Sequence, residues 1–315
     1  MRRVGVELEM GGLDIARISA LVADCLGGTV RVMSNYEHAV DGDPAGDWRV
    51  ELDFAFLQAL GRRELNSDAP FVEVQQLLEH WLHRGAEQVV PMEVVSPPLP
   101  LNELVKVDRL IVALRSAGAR GTTDNLMYAF GLHLNPELPA LDATSIRHYM
   151  QAFVCLYDWL LARSRVDLMR RMTAFAEAFD QDYVRKLVAA DYQPDLPALI
   201  DDYLLHNPSR NRALDMLPLF THLDPQRVKV QVQDKLIKPR PTLHYRLPNC
   251  EIDQPGWGLR GAWSDWLMVE RLVAAPSELA ELCDVYGAFL AQPLERWFGD
   301  WLAEVEVWLS RHPDL

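Results

Sequence analysis

The strongest constraint in this sequence is a period-two alternation whose two faces differ in chemistry. From Val4 to Met10, apolar Val4, Val6, Leu8 and Met10 alternate with Gly5, Glu7 and Glu9. Successive strand side chains point to opposite faces, so such a run is a strand with a greasy side and an acidic side. Three more segments repeat the pattern. Trp48, Val50, Leu52 and Phe54 oppose Arg49, Glu51 and Asp53, and Tyr128, Phe130, Leu132 and Leu134 oppose Gly131, His133 and Asn135. Near residue 242, Leu243, Tyr245 and Leu247 oppose Thr242, His244 and Arg246. Bulk solvent is the common destination of alternating polar positions. Here those positions are Glu, Asp, His, Asn and Arg rather than the Thr, Lys and Ser of an ordinary wet face.

Helical periodicity predicts helices over Leu13 to Leu26, Val72 to Leu82, Leu104 to Leu114, Thr144 to Val188 and Trp263 to Trp308, with N-caps at Asn102 and Thr144. The simplest assembly is an α+β fold: an antiparallel sheet with helices on its apolar face and the polar face left as a functional floor. No fixed repeat or long Gly/Ser linker divides the chain. It is therefore expected to form one domain over 1–315, with a helical insertion about 144–206 and a helical C-terminal segment about 262–312.

The formal net charge of −14 disfavours nucleic acid and anionic membrane surfaces as partners. The four cysteines, Cys25, Cys155, Cys250 and Cys283, show no metal-type spacing, and no apolar run is long enough to cross a bilayer. The N-terminus enters Val4-Gly5-Val6-Glu7 with no signal-peptide pattern, so a cytoplasmic setting is expected.

Glu7 and Glu9 would lie roughly 6.5–7 Å apart on one strand face, a spacing that suits oxygen-ligand cations such as Mg²⁺ or Mn²⁺. Glu93 ends an apolar strand at the rigid turn Ser96-Pro97-Pro98, and Gly131 leaves room beside His133. Arg210, Arg212 and Arg246 offer planar forks for phosphate or carboxylate oxygens. There is no Walker loop, Rossmann fingerprint, nucleophile elbow or H-E-x-x-H, and the His80/His83 pair reads as surface.

The ordered set Gly5-Val6-Glu7-Leu8-Glu9, Glu93 to Leu99, Gly131 to Asn135, Arg210 to Leu214 and Thr242 to Arg246 resembles the amidoligase family, within the wider group of glutamine synthetase and gamma-glutamylcysteine synthetase. The resemblance implies a curved antiparallel sheet lining a funnel, with helices outside it. It implies ATP as a substrate and Mg²⁺ or Mn²⁺ held by Glu7, Glu9, Glu93 and His133, with His244 at a further metal position. Arg210, Arg212 and Arg246 would then neutralise phosphate, Asp53 would orient the amine or help remove its proton, and Ser96 and Asn135 would contact substrate. The implied reaction is carboxylate–amine ligation through an acyl phosphate. Its expected partners are a small-molecule or peptide carboxylate, an amine, and an amidotransferase-like protein.

Two positions depart from the family pattern. His244 stands where the final strand normally carries a glutamate, and Asp215 stands where relatives tend to have asparagine. The first departure keeps open a catalytically impaired relative that binds nucleotide or an amino acid as a sensor or partner subunit. A metal-dependent hydrolase using the same carboxylates would leave the arginines without an obvious role.

Overall fold

The computed structural model describes residues 2–53, 92–122, 130–164, 177–292 and 300–315. Among them are seven strands in one open, antiparallel sheet and eleven α-helices. The strands are β1 (Arg3–Met10), β2 (Val30–Ser34), β3 (Glu37–Val40), β4 (Trp48–Leu52), β5 (Met92–Val95), β6 (Leu99–Pro100) and β7 (Leu132–Pro136). Their order is β2-β3-β4-β5-β1-β6, with β7 also paired to β1. Contacts divide the chain into two compact units. The first comprises Arg3–Asn135 with Asn249–Leu259, and the second Pro136–Pro248 with Arg260–Leu315.

The first unit is built on the alternation. Its apolar row runs across four strands in register, His38 opposite Val50, Val50 opposite Val94 and Val94 opposite Leu8. Helix α1 (Ile15–Leu26) packs on β2, β3 and β4 and against α2 (Val105–Ser116). Asp14 caps the start of α1 by accepting from the Arg17 N–H, and Gly27 ends it in the left-handed conformation at φ 68°. The next residue must also be glycine, because a Cβ on Gly28 would sit 1.8 Å from the Asp41 carbonyl oxygen. The one imidazole in the apolar row is accommodated by a 2.9 Å hydrogen bond between His38 Nδ1 and Ser19 Oγ on α1. Full burial of residues such as Val50, Leu8 and Ile18 stabilises the unit by about 1.5–3 kcal/mol each. The returning segment Asn249–Leu259 is fastened by Arg115 on α2, which donates to the Ile252 and Trp257 carbonyls at 2.7 and 2.6 Å.

The second unit is helical. It contains α3 (Ala143–Cys155), α4 (Tyr157–Arg163), α5 (Gln181–Val188), α6 (Leu196–His206), α7 (Leu217–Leu223) and α8 (Pro225–Gln231). The C-terminal helices are α9 (Leu259–Val273), whose first residue falls in the other unit, α10 (Pro276–Ala291) and α11 (Trp301–Arg311). The long helix expected over Thr144 to Val188 is broken. A new N-cap at Asp180, accepting from the Asp182 and Tyr183 amides, starts α5 as a separate element. The expected caps also move. Asp142 rather than Thr144 caps α3, and Asn102 lies inside a 3₁₀ turn, Leu101–Glu103, ahead of α2. The C-terminal stretch is several helices because Pro276 supplies a first-turn start and Asp300 caps another.

The segment around Thr242 is not a strand. It is extended chain held by isolated bridges, Glu137 to Thr242 and Leu214 to Tyr245. Its alternation is nevertheless real, with Leu243, Tyr245 and Leu247 fully buried. Tyr245 packs edge-on to Phe153 at 6.0 Å and against Trp266 at 5.1 Å. The helix expected over Val72 to Leu82, with His80 and His83, and the ends of two expected strands at Phe54 and Tyr128 lie outside the described residues. Among the described residues no helix is long and apolar enough to cross a membrane.

Candidate metal centre

Register converts the acidic pattern into an array. Glu9 on β1 pairs with Glu93 on β5, Glu93 with Glu51 on β4, and Glu51 with Glu37 on β3. Directly paired residues share a face, so four carboxylates form one row across four strands. Glu7 lies two residues along β1 from Glu9, on the same face, and Asp53 follows β4 two residues beyond Glu51. Like charges placed directly opposite one another are destabilising in a sheet, a repulsion that a bound cation or a proton relieves.

His133, from β7, provides the nearest basic group. Its Nδ1 lies 3.1 Å from Glu7 Oε2 and its Nε2 3.2 Å from Glu9 Oε1. Each glutamate is held a second time. The Asn135 Nδ2–H donates to Glu7 Oε1 at 2.8 Å, and the Gly131 N–H donates to Glu9 Oε2. Gly131 thus contributes a backbone donor in addition to the space its missing side chain was expected to leave. Gly5 shares the face of Glu7 and Glu9, and a Cβ there would press on the Asn135 Cβ at 3.4 Å. Glu7, Glu9, His133 and Asn135 are all buried. Their rotamers are fixed before any ligand arrives, which is the condition for a preorganised site.

Glu93 is held differently. Among the described residues its carboxylate accepts no hydrogen bond, although one oxygen lies with ligand atoms of Glu9 and His133 in a cluster spanning no more than 4.8 Å. Burial, followed by repulsion from Glu7, Asp53, Glu51 and Glu9, pushes its carboxyl well above the ordinary carboxylate range. Two carboxylates and an imidazole facing one point form an oxygen-rich set with one nitrogen, which fits Mg²⁺ or Mn²⁺. Ser96 uses its hydroxyl on the backbone, accepting from the Val6 N–H at 2.9 Å and donating to the Pro97 carbonyl at 2.9 Å. This bond pins the end of β5 to β1.

The second unit carries the arginines. Arg246 donates its backbone N–H to the Ala213 carbonyl at 2.8 Å, and its guanidinium donates to the Arg210 carbonyl. Arg212 donates to the Ala178 carbonyl at 2.6 Å and lies 3.3 Å from Glu177 Oε2. The Nε atoms of Arg210 and Arg212 are buried without a hydrogen-bond acceptor among the described residues. Such donors are costly to bury alone and suit an anionic ligand. His244 Nδ1 lies 3.3 Å from Asp215 Oδ2.

The sequence reading missed Glu37 and did not assign Glu51 to the site. For Glu51 the signal was present in the alternation around Trp48. For Glu37 it was absent, since Tyr36-Glu37-His38-Ala39 shows no clean alternation and only the pairing of β3 with β4 puts Glu37 in the row.

This mixed α/β chain thus carries on a sheet face a carboxylate–imidazole cluster of the donor types that can hold a divalent cation. Residues 1–268 match the family model described as "Putative amidoligase enzyme", and the chain belongs to that family. The family name denotes a ligase that forms amide bonds. No curated protein and no solved structure matches the chain significantly.

Proposed function

We propose that this protein is an ATP- and divalent-metal-dependent carboxylate–amine ligase of the glutamine-synthetase type. The observation that carries the reading is the convergence of Glu9, Glu93 and His133 on one point, in a chain of the amidoligase family. Glu7, Glu9, Glu93 and His133 would hold Mg²⁺ or Mn²⁺. The cation would supply charge neutralisation for the transferred phosphoryl group.

In the proposed reaction, an oxygen of the substrate carboxylate attacks the γ-phosphorus of ATP and ADP leaves. The amine nitrogen then attacks the acyl carbon and loses a proton, and phosphate departs. A free carboxylate is a poor electrophile, and phosphorylation supplies its leaving group. Arg210, Arg212 and Arg246 would stabilise charge on phosphate oxygens, a role their planar forks suit. Asp53, buried and acidic, would orient the amine and accept its proton. Asn135 fixes the Glu7 carboxylate through its Nδ2–H, and its own Oδ1, buried without a hydrogen-bond donor among the described residues, would be left for substrate.

The test is release of ADP that requires Mg²⁺ or Mn²⁺, a carboxylate and an amine together, screened against a metabolite extract. Absence of any nucleotide-dependent thermal shift with any divalent metal sinks the reading. A second reading, a nucleotide-binding relative that has lost turnover, is motivated by His244. It is favoured if ATP and Mn²⁺ bind without ADP release and His244→Glu restores turnover.

A further inference from the structure

We propose that an aromatic cavity in the helical unit is a binding site for an organic ammonium ion, a cation with alkyl groups on or next to its nitrogen. Its residues are separate from the metal cluster and from the arginines, so it stands whether or not the ligase reading does.

The cavity holds about 290 Å³, at the lower end of the roughly 300–1,000 Å³ of small-molecule sites. It lies wholly within the second unit. Six of its described lining residues are aromatic: Phe153 from α3, Tyr157 from α4, Phe179 ahead of α5, Tyr286 and Phe289 from α10, and Trp301 at the start of α11. Tyr286 and Phe289 are three residues apart on one helix and so share a face. Trp301 packs on that face, its ring 4.3 Å from that of Tyr286 and 5.2 Å from that of Phe289. The indole is fixed, because its Nε1–H donates to the Cys155 carbonyl at 2.9 Å. On the opposite wall the Phe153 ring lies 5.9 Å from Tyr157 and 6.0 Å from Phe179. The rings hold one another in place before any ligand arrives.

Volume and rings alone would suit any small apolar molecule, and the charge on the lining decides among them. Asp158, half-buried on α4, lines the cavity, and none of the described lining residues is Lys, Arg or His. Burial, and then the Asp158 carboxylate, push the Tyr286 phenol above its ordinary value, so it contributes a neutral ring with a negative face. Arg185, whose charge acts the other way on that phenol, is paired with Asp182 at 2.6 Å. Asp158 has a partner of its own in the protein. Its part is therefore to set the sign of the potential, and the rings supply most of the affinity. A cation over aromatic faces is attracted by their quadrupoles, most strongly where water is excluded. An anion would meet those same faces and a carboxylate. A neutral apolar guest would strip water from Asp158 and return nothing for it. An alkylated ammonium ion offers apolar surface and the complementary charge together. Gln181, exposed at the start of α5, also lines the cavity and leaves a way in from solvent.

The experiment titrates the full chain with choline and, separately, with its neutral isostere 3,3-dimethylbutan-1-ol, and follows the methyl protons of each by NMR. Stacked rings move bound methyl protons upfield, so the wild type should shift the choline methyl signal saturably and bind the isostere about tenfold more weakly. Phe289→Leu keeps apolar bulk and loses a ring face. It should weaken choline about tenfold while changing the isostere by no more than about twofold. Asp158→Asn should weaken choline by about threefold and spare the isostere, and Tyr286→Phe should bind both as the wild type does.

Absence of a saturable upfield shift with the wild type overturns the proposal. So does equal affinity for choline and the isostere, because the cavity is then an apolar pocket with no preference for charge. Choline binding that survives both Phe289→Leu and Asp158→Asn unchanged places the ion elsewhere, and the proposal fails. If Phe289→Leu lowers the Tm too far to titrate, the wild-type comparison of the two isosteres and the Asp158→Asn variant still decide it.

Discussion

The sheet unit and the helical unit hold their charged side chains by different means. In the sheet unit a ladder does the work. Once Glu9 is opposite Glu93 and Glu93 opposite Glu51, the spacing of the carboxylates is set by strand pairing. Among the described residues of the helical unit the arginines are held by local tethers instead, Arg246 to the carbonyl of Arg210 and Arg212 to the carbonyl of Ala178 and the carboxylate of Glu177. The first arrangement fixes a cluster of like charges whose repulsion a bound cation or a proton relieves. The second leaves the Nε donors of Arg210 and Arg212 buried without an acceptor among the described residues, which suits a ligand that arrives and departs. The proposed division is metal on the sheet and phosphate on the arginines.

The largest expected effects would break that division if they failed. Glu9→Gln and His133→Ala should each lower ATP-dependent turnover by about 10³-fold and abolish the thermal shift produced by Mn²⁺ alone. Arg246→Ala should lose the nucleotide-dependent shift but retain the shift from Mn²⁺ alone. If Arg246→Ala also removes the metal-only response, the two units do not divide the labour in this way. A smaller effect is expected at the next arginine. Arg212→Lys keeps the charge but loses the fork, and should raise the KM for ATP about tenfold with kcat little changed, as read from initial rates.

A third change compares the two faces of the sheet. Ser19→Ala removes the partner of His38 on the apolar side. It should cost about 1–2 kcal/mol in denaturant unfolding, the usual penalty of a buried group left unsatisfied, and leave metal and nucleotide shifts untouched. Any change in Mn²⁺ affinity would mean that the apolar face tunes the site.

The same contrast explains what the sequence made legible. Glu7, Glu9 and His133 were readable because period two is a strict geometric rule that survives folding, and Glu93 because it stands in an apolar strand that ends at a proline turn. Helices α1 and α2 were readable from their periodicity. Glu37 was hidden because its place in the row comes from pairing between β3 and β4, a property of register rather than of the segment itself. His244 and Arg246 were visible in the alternation around residue 242, which survives although the segment is not a strand, whereas Arg210 and Arg212 stand on chain with no periodic signal that says where they point. Asp215 was noticed as a departure, but its contact with His244 depends on a bridge between Leu214 and Tyr245 that no local pattern announces. The break before α5 was missed because an aspartate inside a helical pattern does not declare whether it caps or continues.

The smallest predicted effect is one of stability, and its sign tests whether the carboxylate row is a cost that the metal offsets. Burial and four acidic neighbours raise the Glu93 carboxyl in the folded protein above its unfolded value. A group raised in this way stabilises the fold below the unfolded pKa and loses that contribution as pH climbs through the folded one. Metal-free protein should therefore lose stability as pH rises from about 4.3, the ordinary glutamate value, toward neutrality. Glu93→Gln should flatten this slope and raise the Tm of the metal-free protein by a few degrees near neutral pH. The same variant should gain much less than wild type from added Mn²⁺. Thermal melts across pH, with chelator and with saturating Mn²⁺, measure both halves. If chelated wild type and Glu93→Gln show the same slope, the row of carboxylates is not under the repulsion that its register implies. The sheet would then have no greater need of a cation than the helical unit.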